Sequence, residues 1–198
     1  MSVEEFFRDT LLHETMHFCG SDGGNAMREG LTELKTRELA QKYGLKASRC
    51  GYPKEVDIVS KFQEIVGEDI ANRITFAESN RKIDMILKEN CGEDVARLYF
   101  EISRLMDEEL NKKYDHSKFG GVLGPIKKAK AYSSIDYSKI YEKIETFKRE
   151  REFSNKRVDI KEKIRGCTND KYEEMLKIAL IDYDKSNKSY RTGVNIER

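Results

Sequence analysis

A mainly α-helical fold with little or no sheet is predicted on three observations. Apolar residues recur at three- and four-residue steps along most of the 198-residue chain. There are only two prolines, and a proline inside a helix removes a hydrogen bond and clashes with the preceding turn. Strand signals, which are apolar–polar alternations between turn residues, are few and none is convincing. The first helix is expected from Val3 to about Phe18, where Phe6, Phe7, Thr10, Leu11 and Met16 keep the helical step. CGSDGGN, residues 19–25, is glycine-rich and reads as a loop. A second helix follows from about Asn25 to Tyr43, with Met27, Leu31, Leu34, Leu39 and Ala40 on or near one face. Gly44 is placed to stop it.

A connector ending in Pro53 leads to helices over 54–66, 68–74, 78–90 and 92–113, punctuated by Gly67 and by Cys91-Gly92. Residues 114–134 then break the periodicity with three glycines, a proline and four lysines. Two more helices are expected at 135–153 and 168–186, separated by the basic stretch 156–165 and the turn signal GCTND.

The length suits one domain, or one domain with an appendage, and is enough to bury a core without disulfides. Net charge is +1, but that average hides a split. Residues 1–110 carry 15 Lys+Arg against 22 Asp+Glu, and residues 111–198 carry 22 against 14. We therefore expect an acidic helical domain over 1–113 and a basic helical C-terminal region over 114–198, either packed on the first or a small appendage. No nucleic-acid partner is expected, because the lysines of 118–165 are interleaved with acids and lack an aromatic-plus-basic motif. No membrane partner is expected either, since no apolar run approaches the roughly 18 residues of a spanning helix. The N-terminal MSVEEFFRD is acidic rather than basic-then-apolar. The cysteines lie 31, 41 and 76 residues apart without a C-x-x-C pair. That spacing argues against a zinc knuckle and for reduced thiols in the cytoplasm.

Function is concentrated in HETMH, residues 13–17. Positions i and i+4 share a helix face, so His13 and His17 can reach one zinc ion while Glu14 approaches its water without being a ligand. A catalytic zinc site needs a third protein ligand and one open position. Glu29, in REGLTE on the second helix, is the leading candidate, with Asp22 in the loop as the alternative. Glu33 lies four residues after Glu29, so it shares the face and can accept a hydrogen bond from a ligand histidine, fixing its tautomer.

HETMH, a glycine-rich loop and then EGLTE on a following helix resembles the gluzincin metallopeptidases, the thermolysin-like H-E-x-x-H enzymes. The resemblance covers about residues 9–40. It implies His13, His17 and Glu29 as Zn2+ ligands, Glu14 as general base, and Glu33 where the family carries a second carboxylate behind the ligands. The implied activity is hydrolysis of a peptide or protein substrate by a metal-activated water. Glu29 lies only 12 positions after His17, so the two helices are expected to form a compact hairpin. Peptidases of this kind usually place a substrate-holding strand before the HExxH helix, and none is expected before residue 13. For the oxyanion, the donor proposed from the sequence is Tyr52, in the loop after the second helix, with His116 as the other candidate. The alternative reading is an inactive zinc-binding module of the same kind that binds a protein partner. The stretch from Lys139 to Gly166 favours it, with ten Lys+Arg and six Asp+Glu among apolar residues at helical intervals.

Overall fold

The computed structural model describes residues 3–19, 25–45, 52–113, 132, 134–166 and 170–192. Among these there are eight helices and no strand. They are α1 Val3–Cys19, α2 Ala26–Lys42, α3 Pro53–Val66, α4 Glu68–Thr75, α5 Asn80–Cys91, α6 Glu93–Lys113, α7 Ser138–Arg165 and α8 Asp170–Thr192. The fold is mainly α, as expected. The first six helices start and stop within two residues of the positions that periodicity and glycine indicate. Among the described residues, no helix is long and apolar enough to cross a membrane.

α2 is the central helix of residues 1–144 and touches α1, α3, α4 and α6. Both of its ends are closed. The Asn25 side chain accepts from the Arg28 N–H at 2.9 Å, and Asp107 of α6 accepts from the Ala26 N–H at 2.9 Å. Two donors that the helix itself cannot satisfy are thereby paired. The Asp107 carboxyl also lies at the positive end of the helix dipole. At the other end Gly44 adopts φ +66°. Its N–H reaches Gln41 O while the Leu45 N–H reaches Ala40 O, the paired closure that a left-handed glycine permits.

The faces of α2 differ from the expected apolar stripe. Met27, Leu31 and Ala40 are buried, but Leu34 and Leu39 are only half-buried. Arg28, Glu29, Thr32, Glu33, Lys35 and Thr36 are buried instead. Four neighbouring helices leave α2 little solvent face, so its polar side chains go inside and must find partners there. Arg28 donates to Ala77 O at 3.1 Å. Lys35 donates to Glu38 at 2.6 Å and to Gln63 at 3.2 Å.

The apolar core lies beside this polar helix. Ile58, Val59 and Phe62 of α3, Ile83 and Leu87 of α5, and Val95, Ile102 and Met106 of α6 are fully enclosed. Their three- and four-residue spacing puts each set on one helix face. α2 meets α3 unusually closely at Gly30, where a Cβ would stand 2.9 Å from the Glu55 carbonyl oxygen. A glycine is required there because any side chain would collide with backbone.

By contacts the chain divides into residues 1–144 and 145–198, a division that falls inside α7. Tyr132, Ile135, Tyr137, Ile140 and Ile144 are buried in the first unit. The compositional break expected near residue 114 falls on 114–131, which lie outside the described residues. In the second unit the rings of Phe153 and Tyr183 meet at 5.0 Å, and Arg157 pairs with Asp184 at 2.8 Å.

One expectation is corrected here. The basic stretch 156–165 is not a separator, because α7 continues through it to Arg165. Nothing in Ser138–Arg165 breaks a helix: the segment has no glycine and no proline. Ion pairs four residues apart, Glu152 with Lys156 and Asp159 with Lys163, support its exposed side. α8 likewise runs on to Thr192, past the expected end at 186.

Candidate metal centre

α1 presents His13 and His17 on one face, and the start of α2 presents Glu29 and Glu33 towards them. The glycine-rich stretch between the two helices falls mostly on residues 20–24, which lie outside the described residues. The two Nε2 atoms of His13 and His17 stand 3.1 Å apart. Glu29 Oε2 is 3.2 Å from His17 Nε2 and 3.4 Å from His13 Nε2. The three atoms therefore form a nearly equilateral triangle.

Such a triangle can be tested against metal geometry. Ligand atoms about 2.05 Å from a tetrahedral centre lie about 3.3 Å apart. For an octahedral ion at about 2.1 Å, neighbouring ligand atoms would sit about 3.0 Å apart. The observed edges of 3.1, 3.2 and 3.4 Å span both values, and the donor set of two imidazoles and one carboxylate is one that zinc takes. His13, His17 and Glu29 are thus placed so that they could hold a metal ion.

The atoms on the far side of each imidazole are also occupied. His13 Nδ1 is 3.0 Å from Glu33 Oε2, and Glu33 Oε1 accepts from Arg37 Nε at 3.2 Å. A carboxylate at Nδ1 keeps the proton there and turns the Nε2 lone pair into the triangle. Thr32 Oγ1 stands 3.5 Å from His17 Nδ1, at the long limit of a hydrogen bond. Glu29, Thr32 and Glu33 lie at i, i+3 and i+4, so one turn of α2 supplies all three contacts.

Burial alone would lower the pKa of His13, but the Glu29 and Glu33 carboxylates overcome it and push the group up to about 9. Without a cation, the cluster therefore holds a second proton on His13 at neutral pH. A metal ion must displace that proton on entering.

Tyr52, the residue immediately before α3, lies against the same imidazole. Its ring stacks on His13 with centroids 5.8 Å apart and planes 25° apart. Tyr132 meets Tyr52 edge-on at 4.8 Å and is buried. Burial, and then the charge of Glu29, hold its phenol well above the usual tyrosine range, so its hydroxyl keeps its proton. Deeper still, the Tyr137 hydroxyl donates to Glu55 Oε1 at 2.6 Å. Glu55 is fully buried, and that burial raises its carboxyl above the ordinary range despite the Tyr137 hydrogen bond.

The predicted residues come together in part. His13, His17 and Glu29 form the triangle, Glu33 backs His13, and Tyr52 lies against it. Glu14 is exposed and makes no hydrogen bond or ion pair among the described residues. Asp22 and His116 lie outside the described residues. Sequence reasoning missed Thr32, Tyr132, Glu55 and Tyr137. Thr32 was available from helical spacing after Glu29. The other three had no such signal, because Glu55 and Tyr137 are 82 positions apart in the chain. No protein-family model, curated protein or solved structure matches this chain.

Proposed function

We propose that the chain is a zinc-dependent metallopeptidase of gluzincin type, hydrolysing peptide bonds with Glu14 as general base. One observation carries the reading: His13 Nε2, His17 Nε2 and Glu29 Oε2 lie at mutual distances of 3.1, 3.2 and 3.4 Å. The solvent exposure of Glu14, one residue from His13, adds support, since a base must reach water and substrate.

Zinc held by these residues would supply Lewis acidity towards a carbonyl oxygen and would acidify water to a pKa of about 7. The chain's own residues do the rest. Glu33 holds the proton on His13 Nδ1, so the other nitrogen stays free to ligate. Glu14 takes the proton of the attacking water and returns it to the leaving amine. The Tyr52 phenol, seated beside His13, donates to the oxygen on which negative charge develops.

The second reading is a zinc-holding module without turnover that binds a protein partner. It is favoured by the exposed Val158, Met175, Ile178 and Ile181 of residues 145–198. One experiment separates the two. The purified chain is loaded with zinc and given an unfolded casein-type substrate, with and without a chelator, beside Glu14→Gln. The peptidase reading expects chelator-sensitive cleavage that Glu14→Gln lowers by about 100-fold or more with zinc content unchanged. Full zinc occupancy with no cleavage by the native chain supports the module.

A further inference from the structure

Two short stretches, 80 to 82 positions apart in the chain, meet beside His13. The first is the start of α3, from Tyr52 to Glu55. Pro53 opens the helix and keeps Tyr52, at φ −93° removed from any helical ψ by its own ψ of 65°, out of the helical region. The Tyr52 carbonyl accepts from the Val56 N–H at 2.9 Å and closes the first turn. The second stretch leads into α7 and carries Tyr132, Ile135 and Tyr137, all buried. It is anchored in its turn, because the Tyr137 carbonyl accepts from the Ile140 and Tyr141 N–H groups at 2.9 and 3.1 Å.

Three contacts join the stretches, in the same order along both. The Tyr52 and Tyr132 rings meet edge-on at 4.8 Å. Lys54 Nζ donates to the Ile135 carbonyl at 2.5 Å. The Tyr137 hydroxyl donates to Glu55 Oε1 at 2.6 Å. Glu55 is fully enclosed, and its Oε2 has no hydrogen-bond partner among the described residues. Loss of the Tyr137 bond would leave both oxygens of a buried carboxyl unmatched, which is costly.

What these contacts fasten is the Tyr52 side chain, caught between Tyr132 and the face of His13. α1 buries little apolar surface of its own, so its packing does not fix the imidazole. Glu33 at Nδ1 sets which nitrogen faces the triangle. A ring stacked on the imidazole face limits how far it can tilt about that hydrogen bond.

We infer that Lys54, Glu55, Tyr132 and Tyr137 form a latch that positions His13 for a metal ion by holding Tyr52 against it. They are positioning residues, and none belongs to the triangle. The inference rests on the metal-centre reading above. It makes the stretch before α7 part of that centre, although the sequence places it far from both HETMH and EGLTE.

The test has two readouts. The first is the ring-current shift of the His13 ring protons, read by NMR in the metal-free chain at one fixed pH. The second is zinc affinity, read by competition with a chromophoric chelator. Tyr132→Leu removes the ring that backs Tyr52. It should move the His13 resonances and weaken zinc binding by about tenfold or more, the scale for loss of a group that orients a ligand. Tyr132→Phe keeps the ring, and Glu55→Gln keeps an acceptor for the Tyr137 hydroxyl, so both should stay close to the native chain. Tyr137→Phe removes a single oxygen and serves if Tyr132→Leu loses its helical circular dichroism. Ile102→Ala destabilises the same body from its apolar core and is the control. Zinc affinity and His13 resonances unmoved in both Tyr132→Leu and Tyr137→Phe overturn the latch. So does an equal loss of affinity in Ile102→Ala, which would make the effect one of stability alone. Moved His13 resonances in a chain that binds no zinc leave the latch standing and sink the zinc reading.

Discussion

α1 and α6 are helices of comparable length, 17 and 21 residues, held to the same body by opposite means. α6 buries Val95, Leu98, Tyr99, Ile102, Met106 and Leu110 along one side. Among the α1 side chains described, Met16 is the one buried apolar group. α1 meets α2 instead through His13 and His17, set against Glu29, Thr32 and Glu33. Apolar burial is non-directional and positions α6 by area. Imidazole–carboxylate contacts are directional and position α1 by geometry. The difference teaches that the frame of this fold and its candidate metal centre are stabilised by separate physics, and so can be perturbed separately.

The largest expected effect lies on the α6 side of the comparison. Ile102→Ala empties a fully enclosed site, which should cost about 2–5 kcal/mol of unfolding free energy. Denaturant titration reads this, and the zinc affinity of the folded fraction should be unchanged. A matching loss of zinc affinity would show that frame and site are not separable.

Glu33→Gln acts on the α1 side. Removing the carboxylate from His13 Nδ1 should weaken zinc binding by about 10–100-fold, the usual cost of losing such a backing group. Competition with a chromophoric chelator measures it. The isosteric amide should leave the far-ultraviolet spectrum intact, and unaltered zinc affinity would mean that Glu33 does not orient His13.

The smallest effect is one of pH in the metal-free chain. The folded-state pKa of His13 is raised from 6.5 to about 9. Its charge contribution to holding α1 is therefore complete below about pH 6.5 and is lost as pH rises through about 9. Under the zinc reading, metal binding is expected to run the other way and strengthen with pH up to about 9, because the cation must displace that proton. An NMR titration of the His13 ring should give a midpoint near 9 without metal, and a midpoint at or below 6.5 would break this account.

Most of the helices and the polar cluster were legible in the sequence because both depend on local spacing. HETMH and EGLTE each lie within two turns of helix, so i and i+4 arithmetic brings His13 to His17 and Glu29 to Glu33. Asparagine and glycine at the ends of α2 mark its limits for equally local reasons. The burial of α2 was not legible, since it depends on which helices surround it. The same holds for Tyr132 against Tyr52 and for Tyr137 on Glu55, which are pairings across some 80 residues. α7 misled in the other direction. A run of charge with few large apolar residues resembles a linker, yet without glycine or proline it stays helical and solvated.

The contact at Gly30 has a mechanical consequence. With a Cβ position only 2.9 Å from the Glu55 carbonyl oxygen, α2 and α3 have no free play between their backbones. A larger residue at Gly30 would push apart the two helices, α2 with Glu29 and Glu33 and α3 with Tyr52 just before it. α1 meets that pair through His13 and His17, set against Glu29, Thr32 and Glu33.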